Sequence, residues 1–132
     1  MKITADTNVL LRALAEDDEI QTPIAKKVLE KADLVALTLP TLCEFVWVML
    51  KGYKESHARI AGAIRTLIAA ENTEADVAAV EAGLAFLDAG SDFADGVIAH
   101  EGRWLGAEAF VSFDKTAVEL VQKNGEAARL LG

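Results

Sequence analysis

The chain has 132 residues, with 13 Lys and Arg against 21 Asp and Glu, for a formal net charge of −8. That length fits one domain, residues 1–132, and a content of 52% hydrophobic and 26% charged residues supplies a real core, which excludes a disordered chain. The acidic balance excludes a broad basic coat for nucleic acid, because such binding rests on neutralising phosphates.

The first predicted strand is short, residues 3–5, and ends at Asp6. Residues 8–14 read as a helical turn or two, and 16–19 as a charged loop. Thr22-Pro23 predicts a helix start, a capping hydroxyl followed by proline, for a helix to about residue 31 that buries Ile24, Val28 and Leu29. Residues 34–37 suit a buried strand, and a helix follows over about 40–50, ended by Gly52. Two more helices are expected over 55–70 and 76–87. Asp92 caps a helix to about residue 104, residues 109–112 form a strand, and Asp114 caps a helix to about residue 123. Residues 127–131 are a last short strand. Short apolar strands alternating with helices predict an α/β domain with a mainly parallel sheet.

Cysteine and histidine narrow the chemistry. The single Cys43 forms no internal disulfide, which suits a reducing cytoplasm. His57 and His100 with one Cys cannot build a zinc finger or a His-rich zinc site. A metal must therefore be held by carboxylates, which favours Mg²⁺ or Mn²⁺. No targeting stretch is visible at MKITADTN, and the most apolar window, LCEFVWVML, is about half a bilayer span and carries Glu44. The expectation is a cytoplasmic protein with no membrane partner.

Most of the acids sit on polar loops or faces. Asp6 and Asp114 directly follow strands, where ligands gather in open α/β sheets. Asp92 and Asp95 open one helix at i and i+3, on one face. Glu44 lies among Leu42, Phe45, Val46, Val48 and Met49, with no basic partner in its own helix before Lys51. An ionised carboxylate in such surroundings is costly unless it is paired, metal-bound or turned to the surface. Taken singly, Asp6, Asp92 and Asp114 read more readily as helix caps than as ligands. Together, these carboxylates repel one another unless one or two divalent cations supply counter-charge. Carboxylate sites with two metals run in-line displacement at phosphodiesters and need no His base.

ADTNVLLR (5–12), LPTLCEFVWVML (39–50), DFADGVIAH (92–100) and FVSFDK (110–115) follow one another in an order and spacing that resemble a PIN domain, specifically the VapC-like toxins of bacterial toxin–antitoxin modules. The resemblance implies a three-layer α/β/α sandwich with a mainly parallel sheet of four to five short strands. It implies a catalytic and metal-binding quartet of Asp6, Glu44, Asp95 and Asp114 around one or two Mg²⁺ or Mn²⁺ ions. Asp92 becomes an auxiliary acid or a helix cap, Asn8 orients Asp6, and Ser112 supports Asp114 or a water. Ser112 and Gly96 stand where Thr and Ala are more usual, and neither change removes a ligand. The implied activity is an endoribonuclease cutting single-stranded or loop RNA, held in check by a small antitoxin protein, with a homodimer expected.

Charge is uneven along the chain. Between residues 51 and 65, Lys51, Lys54, Arg59 and Arg65 oppose only Glu55. This stretch reads as a track for the RNA backbone or as an ordinary solvated face. Arg12 contacts phosphate or pairs with an acid. Trp47, one turn from Glu44, reads as a core residue, with base stacking the alternative. Two rival readings are an Mg²⁺-binding phosphoryl-transfer or receiver-type domain and a non-catalytic PIN-type binding module. Only a loose echo, Asp114-Lys115, supports the former, and all four quartet acids speak against the latter.

Overall fold

Five short strands alternate with seven helices, and every strand pairing is parallel. The computed structural model describes residues 1–132 as two compact units, Met1–Asp76 and Val77–Gly132.

In the first unit, β1 (Lys2–Thr4), β2 (Leu34–Ala36) and β3 (Thr73–Glu74) form a three-stranded sheet in that order. The register sets Ile3 opposite Val35 and Val35 opposite Thr73. The Ala5 amide donates to the Ala36 carbonyl at 3.2 Å and the Leu37 amide to Glu74 at 2.9 Å, which carries the ladder to the strands' carboxyl ends. The two-residue β3 has no apolar run to announce it. It is held by backbone pairing, and the Asn72 side-chain amide donates to the carbonyls of Leu29 and Ala32 at 2.9 and 3.0 Å.

Four helices accompany this sheet: α1 (Thr7–Ala15), α2 (Gln21–Lys31), α3 (Leu39–Lys51) and α4 (His57–Ala69). The caps explain their starts. Asp6 accepts from the Thr7 amide, Thr38 Oγ1 from Thr41 and Ser56 Oγ from Arg59. Leu10, Leu42, Phe45, Ile60 and Ile64 are fully enclosed and make the core of this unit.

The second helix departs from expectation in two ways. Its start is held by Asp18, whose Oδ1 accepts from the amides of Ile20 and Gln21 at 2.9 and 2.7 Å, whereas Thr22 donates its hydroxyl to the Arg12 carbonyl. Its expected apolar face is also corrected. Only Ala25 is buried, Leu29 is half-buried, and Ile24 and Val28 stand exposed. The helix lies on α1 with Ala25 enclosed, while Ile24 and Val28 line an open groove between the two helices and stay in contact with water.

The second unit contains α5 (Val77–Asp88), α6 (Phe93–Trp104), β4 (Phe110–Ser112), α7 (Lys115–Lys123) and β5 (Ala128–Leu130). β4 and β5 pair in parallel with Val111 opposite Arg129. Phe86, Ala99, Ala117 and Val121 form its apolar centre, with Phe110, Leu120 and Ala128 packed against them. The α5–α6 pair is the tightest feature. A Cβ on Gly96 would lie 2.3 Å from the Ala82 carbonyl oxygen, and one on Gly83 would lie 2.6 Å from the Phe93 ring. The chain turns between the two helices at Gly90, whose φ of +79° favours glycine.

Candidate functional site

The second unit brings together three of the singled-out acids. Asp92 caps α6, accepting from the Ala94 amide at 3.0 Å, and Asp95 follows one turn later on the same face. Asp114 leaves the end of β4 and caps α7, accepting from the Ala117 amide at 3.1 Å. Its own amide donates to Ser112 Oγ at 2.9 Å, so Ser112 fixes the backbone turn that aims Asp114. Asp95 is half-buried, and its carboxyl is held above the ordinary range by burial first and then by the charges of Asp92 and Asp114. No Lys or Arg relieves this repulsion. Lys115, next to Asp114, pairs with Glu119 at 3.9 Å, and Arg103 pairs with Glu126 at 3.7 Å.

Asp6 and Glu44 lie in the first unit. Asp6 stands at the carboxyl end of β1, exposed, with Oδ1 on the Thr7 amide at 2.8 Å. Asn8 is exposed too and makes no bond to Asp6. It lines an open groove of about 510 Å³ between α1 and α2 with Val9, Arg12, Ile24 and Val28.

Glu44 does not sit in the apolar surroundings that its sequence neighbours suggest. Leu42, Phe45, Val46 and Met49 take the buried side of α3 at i, i+3, i+4 and i+7, which turns Glu44 and Trp47 outward. The expectation that Trp47 is a core residue is therefore corrected, since 63% of its surface is exposed. The signal was available in the sequence: position 47 falls outside the buried set and i+3 from Glu44.

The proposed phosphate contacts divide. Arg12 is committed to its own unit, with Nη1 on Asp17 at 3.2 Å and on the Tyr53 hydroxyl at 3.3 Å, and Nε on Gln21 at 2.7 Å. The Tyr53 bond and the Asp17 charge raise its proton affinity further. Arg59 Nε lies 3.5 Å from Glu55 Oε1. Lys51 ends α3 exposed and pairs with no acid, and Lys54 and Arg65 are exposed as well.

The donor set suits a hard cation in kind: Asp92, Asp95 and Asp114 offer only carboxylate oxygens, in mutual repulsion and without a basic partner. In neither unit do three His, Cys, Asp or Glu side chains stand as a closed ligand group. Asp92 and Asp114 approach Asp95 as helix caps, each with one oxygen on a backbone amide.

A family model described as PIN domain matches residues 3–122. No match to a curated protein sequence was found. The parallel α/β build of both units agrees with the three-layer α/β/α fold of the matched family.

Proposed function

Because the chain belongs to the PIN domain family, whose members are generally metal-dependent nucleases, we propose that it is an Mg²⁺- or Mn²⁺-dependent endoribonuclease acting as a VapC-like toxin of a toxin–antitoxin module, built as a single domain over residues 1–132. In this reading Asp6, Glu44, Asp95 and Asp114 hold one or two divalent ions, and Asp92 tunes the site or caps its helix. Ser112 supports Asp114. The RNA substrate, a small inhibitory antitoxin, a homodimer and a cytoplasmic location belong to the same proposal.

What supports the reading is that Asp92 and Asp114 add like charge at half-buried Asp95 with no Lys or Arg to offset it, although no three acids close into a ligand group. Folding three like charges together without relief is unfavourable unless a ligand offsets it. Asp95 and Asp114, with Asp6 and Glu44, would hold a divalent ion, which would supply an electrophile able to polarise a phosphodiester and acidify water. The chain's own part is placement. Asp114 is aimed by its cap bond to Ala117 and by the Ser112 hydroxyl, and Asp95 is aimed by a helix that Gly96 allows to approach α5 closely. Asp6 is fixed by its bond to Thr7. Each acid that a cap bond holds keeps its second oxygen for a ligand.

The test is growth. Expression of the chain alone should arrest a bacterial host with fragmented cellular RNA, and Asp6→Asn or Asp95→Asn should relieve the arrest while the protein still accumulates folded. Growth arrest that persists undiminished in both variants, with the same RNA fragments, would overturn the assignment.

A further inference from the structure

One face of α3 is left unused by the core. Glu44, Trp47 and Lys51 stand exposed on it at i, i+3 and i+7. A helix rises about 1.5 Å per residue, so Trp47 lies about 4.5 Å along the axis from Glu44, and Lys51 about 6 Å beyond Trp47. The order along the face is carboxylate, indole, ammonium. Trp47 leaves 63% of its surface in water, although a ring of this kind usually buries about 150–250 Å². Lys51 makes no ion pair, so its charge is available to an anion.

The neighbours of the ring decide which occupant fits. A second copy of the chain, or another protein, needs a contiguous apolar patch at the centre of its contact. Here charges bracket the ring on both sides along the helix. A ligand that alternates a flat aromatic with an anion matches the face instead, and single-stranded nucleic acid is such a ligand. Resting on the reading of Glu44 as a metal ligand, we propose that Trp47 stacks an unpaired base of single-stranded RNA beside the cleaved phosphate and that Lys51 holds the phosphate that follows. Stacking on an indole is tolerant of base identity but requires an unstacked base. Trp47 and Lys51 would therefore grip an unpaired nucleotide without reading its sequence.

The chain has two tryptophans, Trp47 and Trp104, and Trp104 is 78% exposed, so Trp104→Phe isolates the fluorescence of Trp47. Titrating that variant with a short single-stranded oligouridylate in EDTA should quench Trp47, and the same strand annealed to its complement should not. In the otherwise native chain, Trp47→Ala should weaken binding about 5- to 100-fold and raise KM with kcat nearly unchanged. Trp47→Phe should recover most of the loss. Absence of quenching, together with an unchanged KM in Trp47→Ala, overturns the inference. So does a Trp47→Ala protein that dissociates from dimer to monomer while keeping its RNA affinity, since a protein then covers the face. If Trp47→Ala behaves as the parent and the parent cuts RNA, the nuclease reading survives and only the stacking role falls. A parent that neither binds nor cuts RNA with Mg²⁺ or Mn²⁺ overturns both.

Discussion

Gly96 offers the sharpest quantitative prediction, because its neighbours are backbone atoms that cannot rotate away. A Cβ built there lies 2.3 Å from the Ala82 carbonyl oxygen and 2.9 Å from both the Ala82 carbonyl carbon and the Gly83 Cα. Relief requires α5 and α6 to part by roughly 1 Å, and a radial gap of about 0.5–1 Å already forfeits a quarter to a half of each dispersion contact across it. The contacts at stake include Phe93 and Val97 on one helix and Val80, Leu84 and Leu87 on the other, all buried. Overpacking of this kind costs about 1–3 kcal/mol. The helix propensity of Ala over Gly returns at most about 1 kcal/mol. Gly96→Ala should therefore be destabilised by up to about 2 kcal/mol, with a fall in Tm of about 4 °C for each kcal/mol at this chain length. Thermal and urea unfolding of parent and variant provide the assay. A variant stabilised by the full propensity gain would refute the reasoning, since the helices would then be separating at no cost. Asp95 precedes Gly96 on α6, so the same variant should lose RNA cleavage in excess of its loss of folded protein.

Other outcomes follow from the acids. The raised proton affinity of Asp95 means that the native state holds its proton more tightly than the unfolded chain does, where the ordinary value is 3.8. Stability then falls as pH rises from 3.8 through the native value, and the penalty is complete above it. Asp95→Asn should unfold at a higher temperature than the parent at pH 7, and that advantage should vanish below pH 3.8; equal stability at both pH values would remove the repulsion from the account. Asp114→Ala should lose the bond to the Ala117 amide and about 1 kcal/mol in urea unfolding, whereas Asp114→Asn keeps the cap and stays near the parent. Mg²⁺ or Mn²⁺ at a hundred times its Kd should stabilise the parent by about 2.7 kcal/mol in a thermal scan. Asp95→Asn and Asp114→Asn should show little of that shift.

Helix starts were legible where a short polar side chain precedes an apolar run. Asp92 and Asp114 cap the helices they were expected to cap, because a carboxylate there satisfies an otherwise unpaired amide. At α2 the same rule pointed to Thr22-Pro23, yet Asp18 reaches two amides from further back. Both residues carry a suitable oxygen, and only the path of the loop after α1 chooses between them. β3 leaves no signal in the sequence because two residues carry no periodicity, and parallel pairing to β2 is a tertiary fact. The acids at the strand ends were visible as residues, and their spacing suggested a shared purpose. What spacing could not give was the side on which each lies. Glu44 and Trp47 looked enclosed by their neighbours in sequence, but the phase of the buried set at 42, 45, 46 and 49 turns both outward.

The most direct measurement is cleavage of a single-stranded RNA by the purified chain with and without divalent metal. The account predicts cutting in Mg²⁺ or Mn²⁺ that EDTA abolishes and that falls on the order of a hundredfold or more in Asp95→Asn and Asp114→Asn, both still folded. RNA cleavage that persists in EDTA, or that the two variants retain in full, would contradict it.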